Sequence, residues 1–496
     1  MTTSRQQFFS ATTVRAMDQA AMGEHGFDGD QLMAAAAAHA HQALRERWPG
    51  ARRLLVCCGT GNNGGDGYVI ARLAKAAGAE VTLLGFGTPR PDSAAGRARA
   101  AWLAAGGAVA TWADAEDSCA GFDVIVDALL GTGLSRAPEG EMAAAVRAIN
   151  QAGAGGSGVL AVDVPSGLDA DHGQPLAPGL AVQAQLTVSF VGRKPGLHTG
   201  AGADHAGRVR FFDLGLPDII YQQQAPLAQA LELELLSAAL PRRRASSHKN
   251  SHGHVLVVGG NIGMAGAALL AARAALRAGA GLVSVATRPQ HAPAMAAAQP
   301  ELMAFGVDHS DQLAEKLAAA DVILLGPGLA QDDWARSLYE ASLAAGKPLL
   351  VDADALNLLA TAASRRADWV LTPHPGEAAR LLAVENAQIQ QDRLSAAGRL
   401  QTEYGGVTVL KGAGTLVAGQ QMALCTLGNP GMAVGGSGDV LGGVIAALMA
   451  QGLEAETAAQ LGVTAHAAAG DRAAAAGQRG MLPSDIIEQL RAVLNP

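Results

Sequence analysis

54-LLVCCGTGNNGGDGYVIARLA-74 opens with a short apolar run, passes through Gly59, Gly61, Gly64, Gly65 and Gly67, and ends in a helical pattern. An apolar run of this length reads as a buried strand, and clustered glycines permit a tight loop. Strand, glycine loop and helix in this order form the unit that sets an anion at a helix N-terminus in doubly wound sheets. The glycine spacing is not the usual dinucleotide fingerprint. Asn62, Asn63 and Asp66 sit inside the loop, where their amides and carboxylate can bind a ribose, a nicotinamide-type amide or a metal.

Outward from this unit the same alternation continues through Val81–Leu84, Val124–Val126 and Val159–Val162. It restarts at Val255–Val258, Leu282–Val285, Val322–Leu325, Leu349–Val351 and Val407–Leu410. Strand runs separated by alanine-rich helical segments define an α/β class. Alanine tracts at 33–40 and 473–476 read as helix. Residues 216–250 carry glutamine runs, prolines and Arg242-Arg243-Arg244, so the domain boundary is expected there, giving domains 1–225 and 226–496. The glycine motifs of the two halves differ in order and content, so the halves are different domains and not repeats.

Composition excludes several classes. A net charge of −8, 4% aromatic residues and the lack of a lysine or arginine block argue against nucleic acid as a partner. The arginine triplet reads as solvated linker, as do His248, His252 and His254. Cys57, Cys58, Cys119 and Cys425 have no C-x-x-C spacing, which argues against a disulfide framework and a thiolate zinc site. No apolar run reaches the roughly 20 residues that span a bilayer, and the polar N-terminus carries no signal core. A soluble cytoplasmic protein with no membrane partner is expected.

Two further loops of the N-terminal half follow apolar runs. In 123-DVIVDALLGTGLSRAPEG-140 the run ends in Asp127 before Gly131-Thr132-Gly133, and in 162-VDVPSGLDADHG-173 Asp163 precedes Pro165, Ser166, Gly167 and Asp169. Loops at the carboxyl ends of parallel strands open on one sheet edge, where ligands bind. Oxygen ligands from Asn63, Asp127 and the Ser166 region suit an alkali or alkaline-earth cation, although a strand-end aspartate is also a common cap.

In the C-terminal half, 428-GNPGMAVGGSGDVLGG-443 sets Asp439 behind Gly435, Gly436, Ser437 and Gly438 at the start of an apolar helical run. Glycine N–H groups and a helix N-terminus make an anion cradle, where a carboxylate is useful as a base acting on a hydroxyl. A tight turn is the bland alternative. Gly326-Pro327-Gly328 ends one strand run, 351-VDADALNLL-359 ends another in two aspartates, 371-LTPHPGEAARLL-382 carries His374 and Glu377, and 409-VLKGAGTLV-417 carries Lys411. With no P-loop, these are components for phosphoryl transfer of another kind.

GTGNNGGDG, VDALLGTGLSR, DVPSGLDADHG and 187-TVSFVGRKPGLHTG-200, in this order over residues 10–215, resemble the NAD(P)H-hydrate epimerase family. The resemblance implies a Rossmann-like domain that interconverts the R and S epimers of hydrated NADH or NADPH, with bound potassium. By position, Asn62, Asn63, Gly64, Gly65 and Asp66, with Gly131, Thr132, Gly133, Leu134, Ser135, Arg136 and Ala137, would contact substrate. Asn63, Asp127 and Ser166 would hold potassium, and Asp163 would act at the nicotinamide end as a catalytic residue. The family tends to carry glutamate after an early leucine-methionine pair, whereas this chain reads Leu32-Met33-Ala34.

SHKNSHGHVLVVGG, GPGL, VDADALNLL, LTPHPGE, LKGAGT, GNPGMAVGGSGD and AGQRGMLPSDII, over about residues 235–495, resemble the ribokinase-like ADP-dependent NAD(P)H-hydrate dehydratases. The resemblance implies dehydration of the S epimer with ADP as co-substrate, giving AMP and phosphate, with magnesium. Ala267, Gly328, His374 and Asp439 would contact the hydrate, with Asp439 as the catalytic base, and Lys411, Gly412, Ala413, Gly414, Thr415 and Gly438 the nucleotide. A homo-oligomer is expected. The alternative is an ATP-dependent small-molecule kinase of the ribokinase-like class with a non-catalytic nucleotide-binding N-terminal module.

Overall fold

The computed structural model describes residues 6–115, 119–134, 136–234, 238–240 and 242–495. The chain forms two compact units, Met1–Ala228 and Gln229–Pro496.

The first unit holds a sheet in the spatial order Glu80–Gly85, Arg53–Cys58, Val124–Ala128, Gly158–Val162, Leu186–Phe190, Arg208–Phe212. All neighbours are parallel. The chain leaves Arg53–Cys58 toward one edge and then crosses to Val124–Ala128, so the strand order reverses between these two, the place where doubly wound sheets open a crevice. Val124–Ala128 and Gly158–Val162 are buried throughout, which is why they read as unbroken apolar runs. Arg208–Phe212 is half-buried at the sheet edge and carries two arginines, so it gave no such signal.

One expectation is corrected here. The helix after the first strand spans Asn62–Ala76 with Gly61 as N-cap, so Asn62 through Gly67 are helical and not a loop. The glycines serve close packing. A Cβ on Gly64 would lie 2.0 Å from the Gly59 carbonyl oxygen, and one on Gly67 would lie 2.7 Å from both Ala128 Cβ and Cys58 Sγ. The helix can therefore press its first turns onto the strand ends only because those side chains are absent.

In the second unit the parallel strands lie in the order Met303–Gly306, Leu282–Thr287, His254–Val258, Val322–Leu325, Leu349–Val351, Trp369–Leu371, Val407–Leu410. Antiparallel Leu416–Ala418 and Met422–Leu424 extend the sheet, and Gln229 and Ala230 pair parallel to Ala423 and Leu424. The order reverses between His254–Val258 and Val322–Leu325. His254 opens a strand and places Nε2 2.8 Å from Ser284 Oγ, which corrects its assignment to a linker. Of the tract 473–476, Ala473 ends the helix Ala455–Ala473 and Ala474–Ala476 is a 3-10 turn. Helices Ala265–Arg277 and Ser437–Ala450 pack closely, since a Cβ on Gly443 would meet the Ala271 carbonyl oxygen at 2.1 Å. Among the described residues no helix is long and apolar enough to cross a membrane, and the four cysteines are free and buried.

Candidate functional sites at the two sheet reversals

In the first unit, the Gly59 N–H donates to the Ala128 carbonyl at 3.0 Å, binding the two loops at the reversal together. Asp127, fully buried at the end of Val124–Ala128, accepts from the Ser166 N–H at 2.8 Å, the Ser166 hydroxyl at 2.6 Å and the Leu129 N–H at 3.3 Å. Ser166 Oγ in turn accepts from the Leu130 N–H at 2.9 Å, and Asn63 Nδ2 donates to the Leu130 carbonyl at 3.0 Å. Three residues from three separate strand ends thus meet around Leu130. Burial pushes the Asp127 carboxyl up to about 6, against the lowering effect of its hydrogen bonds from Ser166 and Leu129. Asn63 Oδ1 is buried and accepts no hydrogen bond. A buried acceptor without a donor, beside a carboxylate disfavoured by burial, is an arrangement a hard cation could satisfy.

Gly131 lies against Asn63, where an added Cβ would come within 3.3 Å of its side chain, and the Leu134 N–H donates to the Gly131 carbonyl at 3.2 Å. Gly131, Thr132, Gly133 and Leu134 therefore form a turn beside the Asn63 group. Arg136 is exposed, Ala137 is half-buried, and Ser135 lies outside the described residues. Asn62 is exposed, while Asn63, Gly64, Gly65 and Asp66 are buried.

Asp163 follows the strand Gly158–Val162 in a left-handed conformation, φ 64°, which is strained for a residue other than glycine. Its Oδ1 accepts from Lys194 Nζ at 2.6 Å, the Phe190 N–H at 3.2 Å and Ser189 Oγ at 3.3 Å. Burial pushes the Asp66 carboxyl well up, with Asp163 and Asp18 adding to it. Burial likewise raises Asp18 to about 6, with Lys194 opposing and Asp163 adding. Sequence reasoning missed Asp18 and Lys194. Ala34, where the family's glutamate would fall, is exposed, and the acid that joins Asp66 and Asp163 is Asp18 on the helix Ala11–Glu24.

In the second unit, the Gly260 N–H donates to the Pro327 carbonyl at 2.9 Å and the Asn261 N–H to the Gly328 carbonyl at 2.7 Å. Gly328 is left-handed, φ 60°, and an added Cβ would lie 3.2 Å from Ala267 Cβ, so these two predicted residues face each other. The Ala330 N–H donates to Asp354 Oδ2 at 2.8 Å, tying this loop to the next strand end.

Lys411, at the end of Val407–Leu410, places Nζ 2.7 Å from Asp352 Oδ1 and 4.0 Å from Glu377 Oε2. Glu377 Oε2 accepts the His374 N–H at 2.8 Å, and His374 Nδ1 accepts the Gly376 N–H at 2.9 Å, a reciprocal cap on the helix Pro375–Leu381. A Cβ on Gly438 would lie 3.2 Å from Lys411 Nζ, so the start of the helix Ser437–Ala450 stands directly on the lysine. Val440 makes an intrahelical bond to the Gly436 carbonyl at 3.1 Å, leaving the N–H groups of Gly438 and Asp439 ahead of the helical ladder. Gly436 is left-handed, φ 96°, as such a tight entry requires.

Burial pushes Asp439 up to about 7, with Asp352, Asp354 and Glu377 adding and Lys411 opposing. Glu377 rises to about 7 from burial and Asp352, again opposed by Lys411. Burial alone would lower Lys411, but Asp352 and Glu377 raise it, so it stays cationic. Burial holds His466 at about 4, a neutral ring with Nε2 3.4 Å from Ser437 Oγ under the helix start.

The Lys411–Thr415 loop uses left-handed Gly412 and Gly414, and Thr415 Oγ1 donates to the Gly412 carbonyl at 3.0 Å. Beneath it lies a residue missed from sequence, Arg393, which is 2% exposed and donates through Nη2 to the carbonyls of Leu410, Lys411 and Gly414 at 3.4, 3.2 and 3.5 Å. Arg393 opens the helix Arg393–Tyr404, and a lone arginine at a helix start belongs to no sequence motif.

Both units gather polar strand ends at a sheet reversal, and together they define a Rossmann-like unit followed by a ribokinase-like unit. A ribokinase-like superfamily protein from Enterococcus faecalis V583 superposes with a TM-score of 0.51 and 31% identity over 54% of this chain and 96% of its own. A protein from Streptococcus mutans gives a TM-score of 0.50 and 33% identity over 54% of this chain and 99% of its own. The family model described as NAD(P)H-hydrate dehydratase matches residues 255–492, and that described as YjeF-related protein N-terminus matches residues 29–196. A bifunctional NAD(P)H-hydrate repair enzyme of Escherichia coli K12 is 47% identical over 94% of this chain and 90% of its own length. One from Coxiella burnetii is 45% identical over 97% and 98%. The chain belongs to the family of bifunctional NAD(P)H-hydrate repair enzymes.

Proposed function

We propose that residues 1–225 epimerise hydrated NADH and NADPH, and that residues 226–496 dehydrate the S epimer at the expense of ADP, giving AMP and phosphate. The observation that carries the reading is the buried group of Lys411, Asp352 and Glu377 beneath the glycine helix start, with Asp439 in its first turn near neutrality.

In the second unit, Asp439 takes the proton of the ring hydroxyl while that oxygen attacks the terminal phosphorus of ADP, and AMP leaves with the bridging oxygen. The N–H groups of Gly438 and Asp439 meet the transferring phosphoryl charge, as does Lys411. Phosphate then departs with the carbon–oxygen electron pair, pushed by the ring nitrogen, and loss of a proton from the neighbouring carbon restores the double bond. Ala267, Gly328 and His374 line the hydrate, and Lys411 to Thr415 hold the nucleotide. Carboxylates Asp352, Asp354, Glu377 and Asp439 outnumber the one lysine that opposes them, which fits a divalent cation. Among the described residues no three His, Cys, Asp or Glu side chains form a metal cage, so magnesium would share its ligands with the phosphates. Bound there, it would neutralise charge on the transferring group.

In the first unit, water added beside the ring nitrogen leaves a carbon bearing both hydroxyl and nitrogen. Asp163 removes the hydroxyl proton as the carbon–oxygen double bond forms and the carbon–nitrogen bond opens, with its electron pair passing to nitrogen. Asp66, whose carboxyl burial pushes well up, supplies the proton that nitrogen gains. Reclosure on the other face gives the other epimer. Potassium held by Asn63, Asp127 and Ser166 would supply positive charge for the substrate beside the Gly131–Ala137 loop. Homo-oligomeric assembly in the cytoplasm is part of the same reading. Replacing Asp439 by alanine tests it: dehydration should vanish while epimerisation persists, and survival of both would reject the assignment.

A further inference from the structure

The Lys194 side chain has no solvent exposure. Burying a side chain with three donors is costly unless those donors are matched. Its three donors meet three acceptors, Asp163 Oδ1 at 2.6 Å, the Phe190 carbonyl at 2.9 Å and Ser189 Oγ at 3.1 Å, and of these only Asp163 is anionic. The arrangement is one-sided. Every hydrogen bond to the Asp163 carboxylate falls on Oδ1, Oδ2 takes none among the described residues, and the side chain is 17% exposed. A pair serving the core alone would close both oxygens. Here one oxygen takes all three hydrogen bonds and the other is left open in a partly exposed side chain.

The backbone supports the same orientation. The Asp163 N–H donates to the Val188 carbonyl at 2.7 Å and the Val164 N–H to the Val162 carbonyl at 2.8 Å, which holds the left-handed turn at the strand end. Strain at such a residue persists where surrounding contacts over-determine it.

We infer that Lys194 is a positioning residue of the epimerase: it ties Asp163 inward through Oδ1 so that Oδ2 meets the hydroxyl of the hydrated ring. The inference rests on the assignment of Asp163 as the base. Two other carboxylates face this pair, Asp18 from the helix Ala11–Glu24 and Asp66 from the helix Asn62–Ala76, and burial favours their protonated forms. Of these three acids Asp163 is the one that Lys194 hydrogen-bonds, at 2.6 Å.

The test compares wild type, K194M, K194Q and D163N as full chains, with epimerisation of hydrated NADH followed against pH in the presence of potassium. K194M is expected to lower kcat about tenfold or more with KM little changed, and to move the acidic limb of the profile upward by about 1–3 pH units, the scale of a lost neighbouring charge. K194Q keeps a donor without the charge and should show the same displacement, which preserves the test if the methionine variant does not fold. A folded K194M or K194Q with the wild-type acidic limb would overturn the inference. D163N separates the two levels: if it retains epimerisation, the assignment of the base fails first, whereas an inactive D163N beside unshifted Lys194 variants rejects the role of the lysine alone.

Discussion

Lys411 Nζ lies 2.7 Å from Asp352 Oδ1, and the helix that carries Asp439 begins directly above the pair, where Gly438 leaves no side chain in the way. The two partners act on Asp439 in opposite senses: Asp352 raises its carboxyl and Lys411 lowers it. With Asp439 as the proposed base, burial and this pair together set the pH at which it works.

A general base must be ionised, so dehydration should rise with pH through about 7, where burial has placed Asp439. Asp352→Asn removes a charge that raises Asp439 and should move this limb to lower pH. Lys411→Met removes one that lowers it and should move the limb to higher pH. Profiles of kcat/KM for the two variants, which displace in the same direction if the assignment is wrong, check the sign.

Asp439→Asn should reduce dehydration by about 10²–10⁴-fold, the usual contribution of a positioned general base. Epimerisation, followed by chromatographic separation of the R and S hydrates, should be unchanged. Loss of both activities would point to misfolding or a shared step.

Ser166 supplies two of the three donors to buried Asp127, one from its backbone and one from its hydroxyl. Ser166→Ala removes the hydroxyl, and the unmatched carboxylate should cost about 1–3 kcal/mol of stability. If the same group holds potassium, the concentration for half-maximal epimerisation should also rise about tenfold or more. Denaturant melts and a potassium titration in a sodium background read the two effects separately.

Arg393→Met withdraws the guanidinium from the carbonyls of Leu410, Lys411 and Gly414. The expected result is a loss of about 1.5–3 kcal/mol and a higher KM for ADP, with epimerisation kinetics retained. An unchanged KM for ADP in a folded variant would detach the loop from nucleotide binding.

Much of this arrangement was legible in the sequence because parallel strands announce themselves as apolar runs and their carboxyl ends as glycine and aspartate. Asn63, Asp127 and Ser166 were readable on that basis, and they do meet around Leu130. The same glycines misled at Asn62 to Gly67, where they allow close packing of a helix and not a loop. Asp18, Lys194 and Arg393 were not legible. Asp18 joins its site from a helix with no motif, Lys194 meets Asp163 across 31 residues of chain, and Arg393 donates to backbone carbonyls that leave no side-chain pattern.

The most direct test of the account supplies mixed R and S hydrates of NADH, with magnesium and potassium present, and follows recovery of reduced-nicotinamide absorbance with ADP, with ATP and with neither. Complete recovery that depends on ADP is the predicted result, since it requires epimerisation and dehydration together. A plateau at the S fraction would contradict the role of the first unit, and no recovery with either nucleotide would contradict that of the second.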